Sequence, residues 1–333
     1  KLLIPRLMQK GFDITVICPT YGPMLTDLEA LNITVHPIEM ERAITPLKDL
    51  TSIKQIIHYI KSNTFDLIHV HSSKAGALGR IASFITKKPC IYTPHCWSFA
   101  MRTNRSRQTL YLLIEKILSP LTCNIIAISA SEQNQALQHK IISQEKISLI
   151  LNGIDINKYV KSLENKAIMM NQLGISKGTK VIGMVARIAP QKDVFTFVRA
   201  AKRIVDKNNN VFYVLVGDGE QRLEIEQEIS HLGLSDKFLI TGWVDNVQDY
   251  INIFHVGVLT SRWEGFGLVL AEYMASEVPV VASNVDGIPE VVEDGKTGVL
   301  VEPGDVDGFA AATQQLLVDE DLREKYTTRG LVR

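Results

Sequence analysis

Apolar residues along this chain fall into two rhythms: short β-rich runs, and longer segments in which apolar positions recur about every 3.6 residues. In the first half the runs Asp13 to Cys18, Thr34 to Pro37, Leu67 to Val70, Cys90 to Thr93, Ile125 to Ile128 and Lys146 to Leu151 read as strands. Residues 1–10, Leu50 to Lys61, Ala75 to Ile85, about Gln108 to Leu118, and Ser129 to His139 read as helices, with Ser129 a cap. The second half repeats the alternation with sharper glycine and proline punctuation. Its strands are Val181 to Ala186, Phe212 to Val216, Phe238 to Thr241, Val256 to Leu259, Val278 to Ala282 and Gly298 to Val301, with helices near 194–206, 220–232, 246–254, 267–276, 288–293 and 305–318. Strand alternating with helix predicts parallel, doubly wound sheets. A length of 333 residues exceeds one ordinary core. Two similar doubly wound α/β domains are therefore expected, residues 1–152 and 179–333, joined by the polar, irregular stretch 153–178 after the turn Asn152-Gly153-Ile154-Asp155. Ligands of such sheets bind at the carboxyl ends of strands, so a cleft between the domains is the expected site.

The stretch Ser261 to Glu272 is the most informative. It follows the run Val256 to Leu259, holds Trp263-Glu264-Gly265-Phe266-Gly267, and opens the helical segment from Leu268. Unpaired N–H groups of a first helical turn point at whatever lies before it, and a phosphate suits them. Glu264 and Glu272 bracket this start, on the order of 10 Å apart along a helix. Arg187 and Lys192 flank Ile188-Ala189-Pro190-Gln191 just past a strand end, where two cations can neutralise a diphosphate; a solvated loop is the bland alternative. Gly217-Asp218-Gly219-Glu220 resembles a dinucleotide fingerprint, but the third glycine would fall at Arg222, so a tight turn near a nucleotide or an ordinary strand-to-helix turn fits better. Asp286-Gly287-Ile288-Pro289-Glu290 reads either as a helix start or as shaped backbone near a sugar. Trp243 and Val244, in the loop after Gly242, are candidates for reading a base.

In the first half, His69-Val70-His71-Ser72-Ser73-Lys74 and Pro94-His95-Cys96-Trp97 each follow a strand. Ser73 and Lys74 are candidate phosphate contacts, with a surface role for Lys74 the alternative, and His95, at a strand's carboxyl end, is a candidate catalytic group, with a structural histidine the alternative. The aspartate pairs Asp305-x-Asp307 and Asp319-x-Asp321 read as capping and surface charge, and no metal is expected. Composition narrows the rest. With 46% hydrophobic and 22% charged residues the chain is globular, and no apolar run approaches the ~20 residues of a membrane span. Cys18, Cys90, Cys96 and Cys123 have neither redox nor zinc spacing, which favours a reduced, cytoplasmic setting. Residues 1–150 carry 17 Lys+Arg against 10 Asp+Glu, and the remainder 19 against 26. The basic half suits an anionic membrane surface or a phosphate-bearing acceptor; a solvated surface is the alternative. Arg102, Arg105 and Arg107 lack interleaved aromatics, so nucleic acid is not expected, whereas anionic lipid is.

Taken in order, these segments resemble the retaining glycosyltransferases of family 4, whose fold of two Rossmann-like doubly wound domains facing a cleft is called GT-B. The resemblance spans nearly the whole chain: His-Val-His-Ser-Ser-Lys, Thr-Pro-His, Asn-Gly-Ile-Asp, Arg187 with Lys192, Gly-Asp-Gly-Glu, Glu264-x7-Glu272 and Asp-Gly-Ile-Pro-Glu. It implies that Arg187 and Lys192 bind a donor diphosphate together with backbone N–H groups around Phe266, Gly267 and Leu268. It further implies that Glu272 bonds the ribose, that Glu264 contacts the transferred sugar, and that His95 approaches that sugar from the acceptor domain. Ser73, Lys74, Gly217, Glu220, Trp243 and Val244 are further donor or acceptor contacts. The implied activity is metal-independent transfer, with no cofactor, from a nucleotide sugar, UDP- before GDP-, to a glycan or lipid-linked glycan of a bacterial surface polysaccharide, at the cytoplasmic face of a membrane. An epimerase of this fold would need further carboxylates and histidines, a phosphorylase a pyridoxal lysine, and a non-catalytic binding subunit no intact Glu264, Glu272, Arg187 and Lys192. Three departures stand out: the chain begins inside the helix after the expected glycine loop, the last helix reads as incomplete, and Cys96 stands where many relatives have glycine.

Overall fold

A computed structural model describes residues 2–20, 24–41 and 43–333. The chain divides into two compact units, Lys1–Leu151 and Asn152–Arg333. In the first, α1 (Leu3–Gln9), β1 (Thr15–Cys18), α2 (Met24–Ala30), β2 (Thr34–Pro37) and α3 (Pro46–Ser62) come first, and β1 and β2 pair in parallel as a sheet of their own. Then β3 (Ile68–His71), α4 (Ser73–Thr86), β4 (Cys90–Thr93), α5 (Arg105–Leu118), β5 (Asn124–Ala127), α6 (Ala130–Gln138) and β6 (Ile147–Leu149) alternate. Their strands form a parallel sheet in the order β3-β4-β5-β6.

Val70, Tyr92, Ile125, Ala127 and Ile147 project from this sheet into a core completed by Trp97 and Phe99. One polar network is sealed inside the unit. Arg80 of α4 donates to Glu115 of α5 at 2.8 Å and to the Gly76 carbonyl at 3.0 Å, and its guanidinium lies 4.1 Å over the Tyr92 ring. The Tyr92 hydroxyl donates to the other Glu115 oxygen at 3.2 Å. Burial raises the Glu115 carboxyl against the opposing pull of Arg80. Removing either partner would strand a buried charge, so the pair locks α4 onto α5.

The second unit begins with a 3-10 turn (Ile156–Tyr159) and α7 (Leu163–Gln172). There follow β7 (Lys180–Val185), α8 (Val194–Val205), β8 (Val211–Val216), α9 (Arg222–His231), β9 (Phe238–Ile240), α10 (Val247–Ile253), β10 (Val256–Leu259) and α11 (Leu268–Ala275). β11 (Val280–Ser283), α12 (Ile288–Val291), β12 (Gly298–Val301), α13 (Val306–Val318) and α14 (Glu320–Val332) complete it. The six strands run parallel in the order β12-β11-β10-β7-β8-β9. Chain order reverses between β7 and β10, so the loops leaving these two neighbours open a crevice at their carboxyl ends.

Three helices, α2, α7 and α14, are absent from the sequence pattern. The stretch 153–178, expected to be an irregular connection, contains α7. Ser162 caps it, accepting from the Asn165 N–H at 3.2 Å, and Asn252 of α10 bonds both the N–H and the carbonyl of Ser162 at 3.2 and 2.6 Å. Only Met169 of α7 is buried, so there is no apolar stripe for periodicity to reveal. The same holds for α14, where only Tyr326 and Gly330 are buried. Asp319 starts α14 by accepting from the Leu322 N–H at 2.9 Å, and Asp305 starts α13 the same way from Gly308 at 2.9 Å, so the first aspartate of each pair is a helix cap.

Candidate active site

The loop leaving β7 is laced to the loop leaving β10. The Thr260 hydroxyl reaches the carbonyls of Lys192 and Asp193 at 2.9 and 3.0 Å, and the Arg262 N–H donates to the Gln191 carbonyl at 2.8 Å. Gln191 returns a bond from its amide to the Trp263 carbonyl at 3.1 Å, while the Arg262 guanidinium forks onto the buried Asp193 carboxylate at 3.1 and 3.3 Å. Within this frame Lys192 Nζ donates to Glu264 Oε2, and the Ser261 hydroxyl donates to the same oxygen at 3.2 Å. The two charged side chains are 18% and 13% exposed, withdrawn from most water but reachable. The Glu264 N–H donates to Asp286 at 2.9 Å, and the Gly287 N–H to the Glu264 carbonyl at 3.3 Å. The Asp-Gly-Ile-Pro-Glu segment thus buttresses Glu264.

Beyond Glu264 the chain turns into α11 through Gly267, whose φ of 80° is the left-handed conformation glycine tolerates. No side chain caps this start. Phe266 is buried and Leu268 is 37% exposed. Arg187, at the end of β7, is half-exposed and only loosely paired, 3.9 Å from Glu220. Gly217 adopts φ 135°, and a Cβ there would lie 2.1 Å from the Ala186 carbonyl oxygen. The glycine turn therefore lies flat against the backbone that carries Arg187. Asp218 accepts from Arg222 at 3.0 Å, so the residue at the missing third glycine position braces the turn. The Gly217 N–H donates to the Gly242 carbonyl at 3.1 Å; beyond it Trp243 is 74% exposed and Val244 half-buried.

Glu272 lies on α11 beyond Gly267, and burial raises its carboxyl above the usual range while a hydrogen bond from the Tyr159 hydroxyl opposes the shift. Nothing in the sequence pointed to Tyr159. It lies in the turn just past Asn152-Gly153-Ile154-Asp155 and reaches α11 only through the fold. Arg187, Lys192, Glu264, Gly267 and Glu272 thus gather in the second unit around the β7 and β10 loops and the start of α11.

In the first unit the turns after β3 and β4 share one edge of the sheet. His71 Nδ1 lies 3.0 Å from His95 Nε2, with the rings stacked at 5.2 Å, and the His69 ring is 4.1 Å from that of His71. Burial, then the neighbouring His69 and His95, pushes His71 down to about 4. Burial lowers His95 as well. One proton shared between two neutral rings satisfies this contact. His95 and Cys96 have φ of 57° and 97°, a backbone for which glycine at position 96 would be easier. The Cys96 N–H is held by Glu132 at 2.6 Å. Lys74 is engaged within the unit, 2.5 Å from Asp49 and 2.7 Å from the Ala43 carbonyl, and Ser73 shares a hydrogen bond with Tyr92.

Residues 165–332 match the family Glycosyl transferases group 1, and residues 1–158 match Glycosyltransferase Family 4. The chain is a family 4 glycosyltransferase. A protein of Escherichia coli named UDP-Gal:alpha-D-GlcNAc-diphosphoundecaprenol alpha-1,3-galactosyltransferase is 30% identical to it over 321 residues, 95% of this chain and 83% of its own. The capsular polysaccharide biosynthesis glycosyltransferase CapM of Staphylococcus aureus is 31% identical over 98% of this chain and 86% of its own. Among solved structures, Anabaena HepE in complex with UDP and glucose superposes with a TM-score of 0.84 at 25% identity, covering 96% of this chain and 86% of HepE. This glycosyltransferase therefore has the GT-B fold. Its Lys192–Glu264 pair and the Tyr159–Glu272 bond lie beyond what sequence spacing indicates, because each joins segments brought together only by strand order.

Proposed function

We propose that this glycosyltransferase moves a sugar, with retention of anomeric configuration, from a UDP-sugar to a lipid-linked glycan during surface polysaccharide assembly. The observation that carries this reading is the group of Arg187, Lys192 and the uncapped start of α11 around Glu264. Two cations and free first-turn N–H groups suit a diphosphate, and they stabilise the charge that develops as it leaves. Glu264 is then placed beside the sugar attached to that diphosphate, and Glu272, farther along α11, accepts from the ribose hydroxyls. With positive charge supplied by side chains and backbone, the step runs without a metal ion.

In the proposed reaction the acceptor oxygen attacks the anomeric carbon from the face the diphosphate is leaving. The bond from that carbon to the phosphate oxygen breaks, the bond to the acceptor oxygen forms, and the acceptor proton passes to the departing phosphate oxygen. The carboxylate of Glu264 favours the positive charge that builds on the sugar ring. For His95 the proposed role is a hydrogen bond to the transferred sugar, its ring held by His71. UDP is favoured by the HepE complex, and a lipid-linked acceptor by the name of the Escherichia coli relative. Binding and slow hydrolysis of a panel of UDP- and GDP-sugars, with and without EDTA, test the reading. Binding confined to UDP-sugars and turnover unchanged by EDTA are expected; turnover abolished by EDTA would overturn metal independence, and binding confined to GDP-sugars would overturn the donor.

A further inference from the structure

We propose that a cavity at the amino ends of β7 and β10 is a second anion site, which takes the phosphate group of a small phosphorylated molecule. The inference does not rest on the donor reading, because the cavity lies at the opposite edge of the same sheet.

The cavity, of about 460 Å³, is walled by α7, α14 and the segments that enter β10 and β11. His255 immediately precedes β10, and its backbone N–H donates to the Val181 carbonyl of β7 at 2.7 Å. Ser276 and Glu277 follow the last turn of α11, whose eight residues put about 12 Å between them and Gly267 at its other end. A space of this size holds a sugar phosphate rather than a lone ion.

The charges around it are unevenly matched. Lys161 pairs with Glu277 at 3.0 Å, and Arg323 with Glu320 at 2.9 Å while also donating to the Leu316 carbonyl at 3.0 Å. These pairs fix the wall and satisfy their own acids. Lys166 is different: it enters half-buried from α7, and among the described residues no carboxylate pairs with it. The charges that bear on it most, Lys161, Lys180 and Arg323, are all cations. Glu324, the remaining acid of the wall, is exposed on α14. These cations and Lys166 also bear on His255. The Val181 N–H donates to its Nδ1 at 3.0 Å, which leaves the ring proton on Nε2. Burial first, then Lys166, Lys180, Arg323 and Lys161, pushes this histidine down to about 3, so it stays a neutral N–H donor. Withdrawn cations are ordinarily paired. One without a counter-ion, held among like charges beside a neutral N–H and the hydroxyls of Thr327 and Thr328, complements a phosphate.

The test is calorimetric titration of the full chain, in excess UDP and at constant ionic strength, with inorganic phosphate and separately with ribose 5-phosphate. Binding at one site is expected with UDP present, together with a higher melting temperature, because the anion replaces repulsion between cations with attraction. Tighter binding of ribose 5-phosphate identifies a phosphate ester as the occupant, and equal binding identifies free phosphate. Lys166→Ala weakens either probe by about tenfold or more, whereas Lys166→Arg, which keeps the charge, retains binding. Without phosphate, Lys166→Ala melts no lower than the parent, since it removes a repelled cation, and its UDP affinity holds. Absence of binding in excess UDP, or binding that Lys166→Ala leaves unchanged, overturns the proposal. So does a Lys166→Ala chain that melts lower before any phosphate is added, because the lysine is then structural. A chain that takes up phosphate through Lys166 but does not bind UDP refutes the donor reading alone.

Discussion

Lys192 bonds Glu264, so a diphosphate that recruits Lys192 must share it with a carboxylate. Replacing Lys192 with Ala deletes one charge-assisted hydrogen bond to the diphosphate, about 2 kcal/mol, or roughly thirtyfold in the dissociation constant of UDP. Replacing Glu264 with Gln acts in the opposite direction. Its oxygen touches Lys192 and Ser261, and both contacts survive in the isosteric amide, but the negative charge facing the phosphates is gone. For a carboxylate about 8 Å from one phosphate charge, at an effective dielectric of about 40, the relief is about 1 kcal/mol. Glu264→Gln is therefore expected to bind UDP about fivefold more tightly while its transfer rate falls roughly a hundredfold. Titration calorimetry with UDP on both single variants and the double variant reads the affinities, and initial rates with a UDP-sugar read the turnover. An unchanged UDP affinity in Lys192→Ala, or a loss in Glu264→Gln as large as that in Lys192→Ala, would refute the shared-cation account.

Three further outcomes follow from the geometry. Because burial raises the Glu272 carboxyl, the folded state holds this proton more tightly than the unfolded chain; its contribution to stability is present at acid pH and lost as pH rises through the folded value. UDP affinity moves the other way, falling as pH drops through that value because the ribose needs an ionised acceptor, and Glu272→Gln should remove both dependences in melting and calorimetric titrations. Gly217→Ala sets a Cβ against the Ala186 carbonyl at φ 135°, so a loss of roughly 2–3 kcal/mol in denaturant unfolding and weaker UDP binding through a displaced Arg187 are expected; a variant as stable as the parent would show that this turn can yield. Cys96→Gly relieves a side chain at φ 97° and should add about 1 kcal/mol of stability, whereas a loss would mean that the thiol's packing outweighs the strain.

Much of the fold was legible because glycine, proline and apolar runs punctuate it: strand Val256 to Leu259 and the turn through Gly265 and Gly267 needed no partner to be recognised. Helices α7 and α14 escaped because so few of their residues are buried, and α3 begins at Pro46 rather than Leu50 because the proline suits a first helical turn ahead of the apolar stripe. The positions of individual candidate residues were readable where a strand end and a charged residue adjoin in sequence, as at Arg187. Their partners were not. His71 meets His95 because β3 and β4 pair with His71 opposite Thr93, and Lys192 meets Glu264 because β7 lies beside β10. Those registers are set by which strands neighbour in the sheet, and a linear pattern does not carry them. Helix α5 begins at Arg105 rather than about Gln108, so Arg105 and Arg107 lie within it.

The configuration of the sugar released from a UDP-sugar distinguishes the proposed retaining, metal-independent transfer from inversion. Slow hydrolysis of an α-linked UDP-sugar in EDTA can be followed by proton NMR before the free sugar mutarotates. The α-anomer is expected to appear first, at a rate that falls in Lys192→Ala. The β-anomer appearing first, or no hydrolysis until a divalent cation is restored, would contradict it.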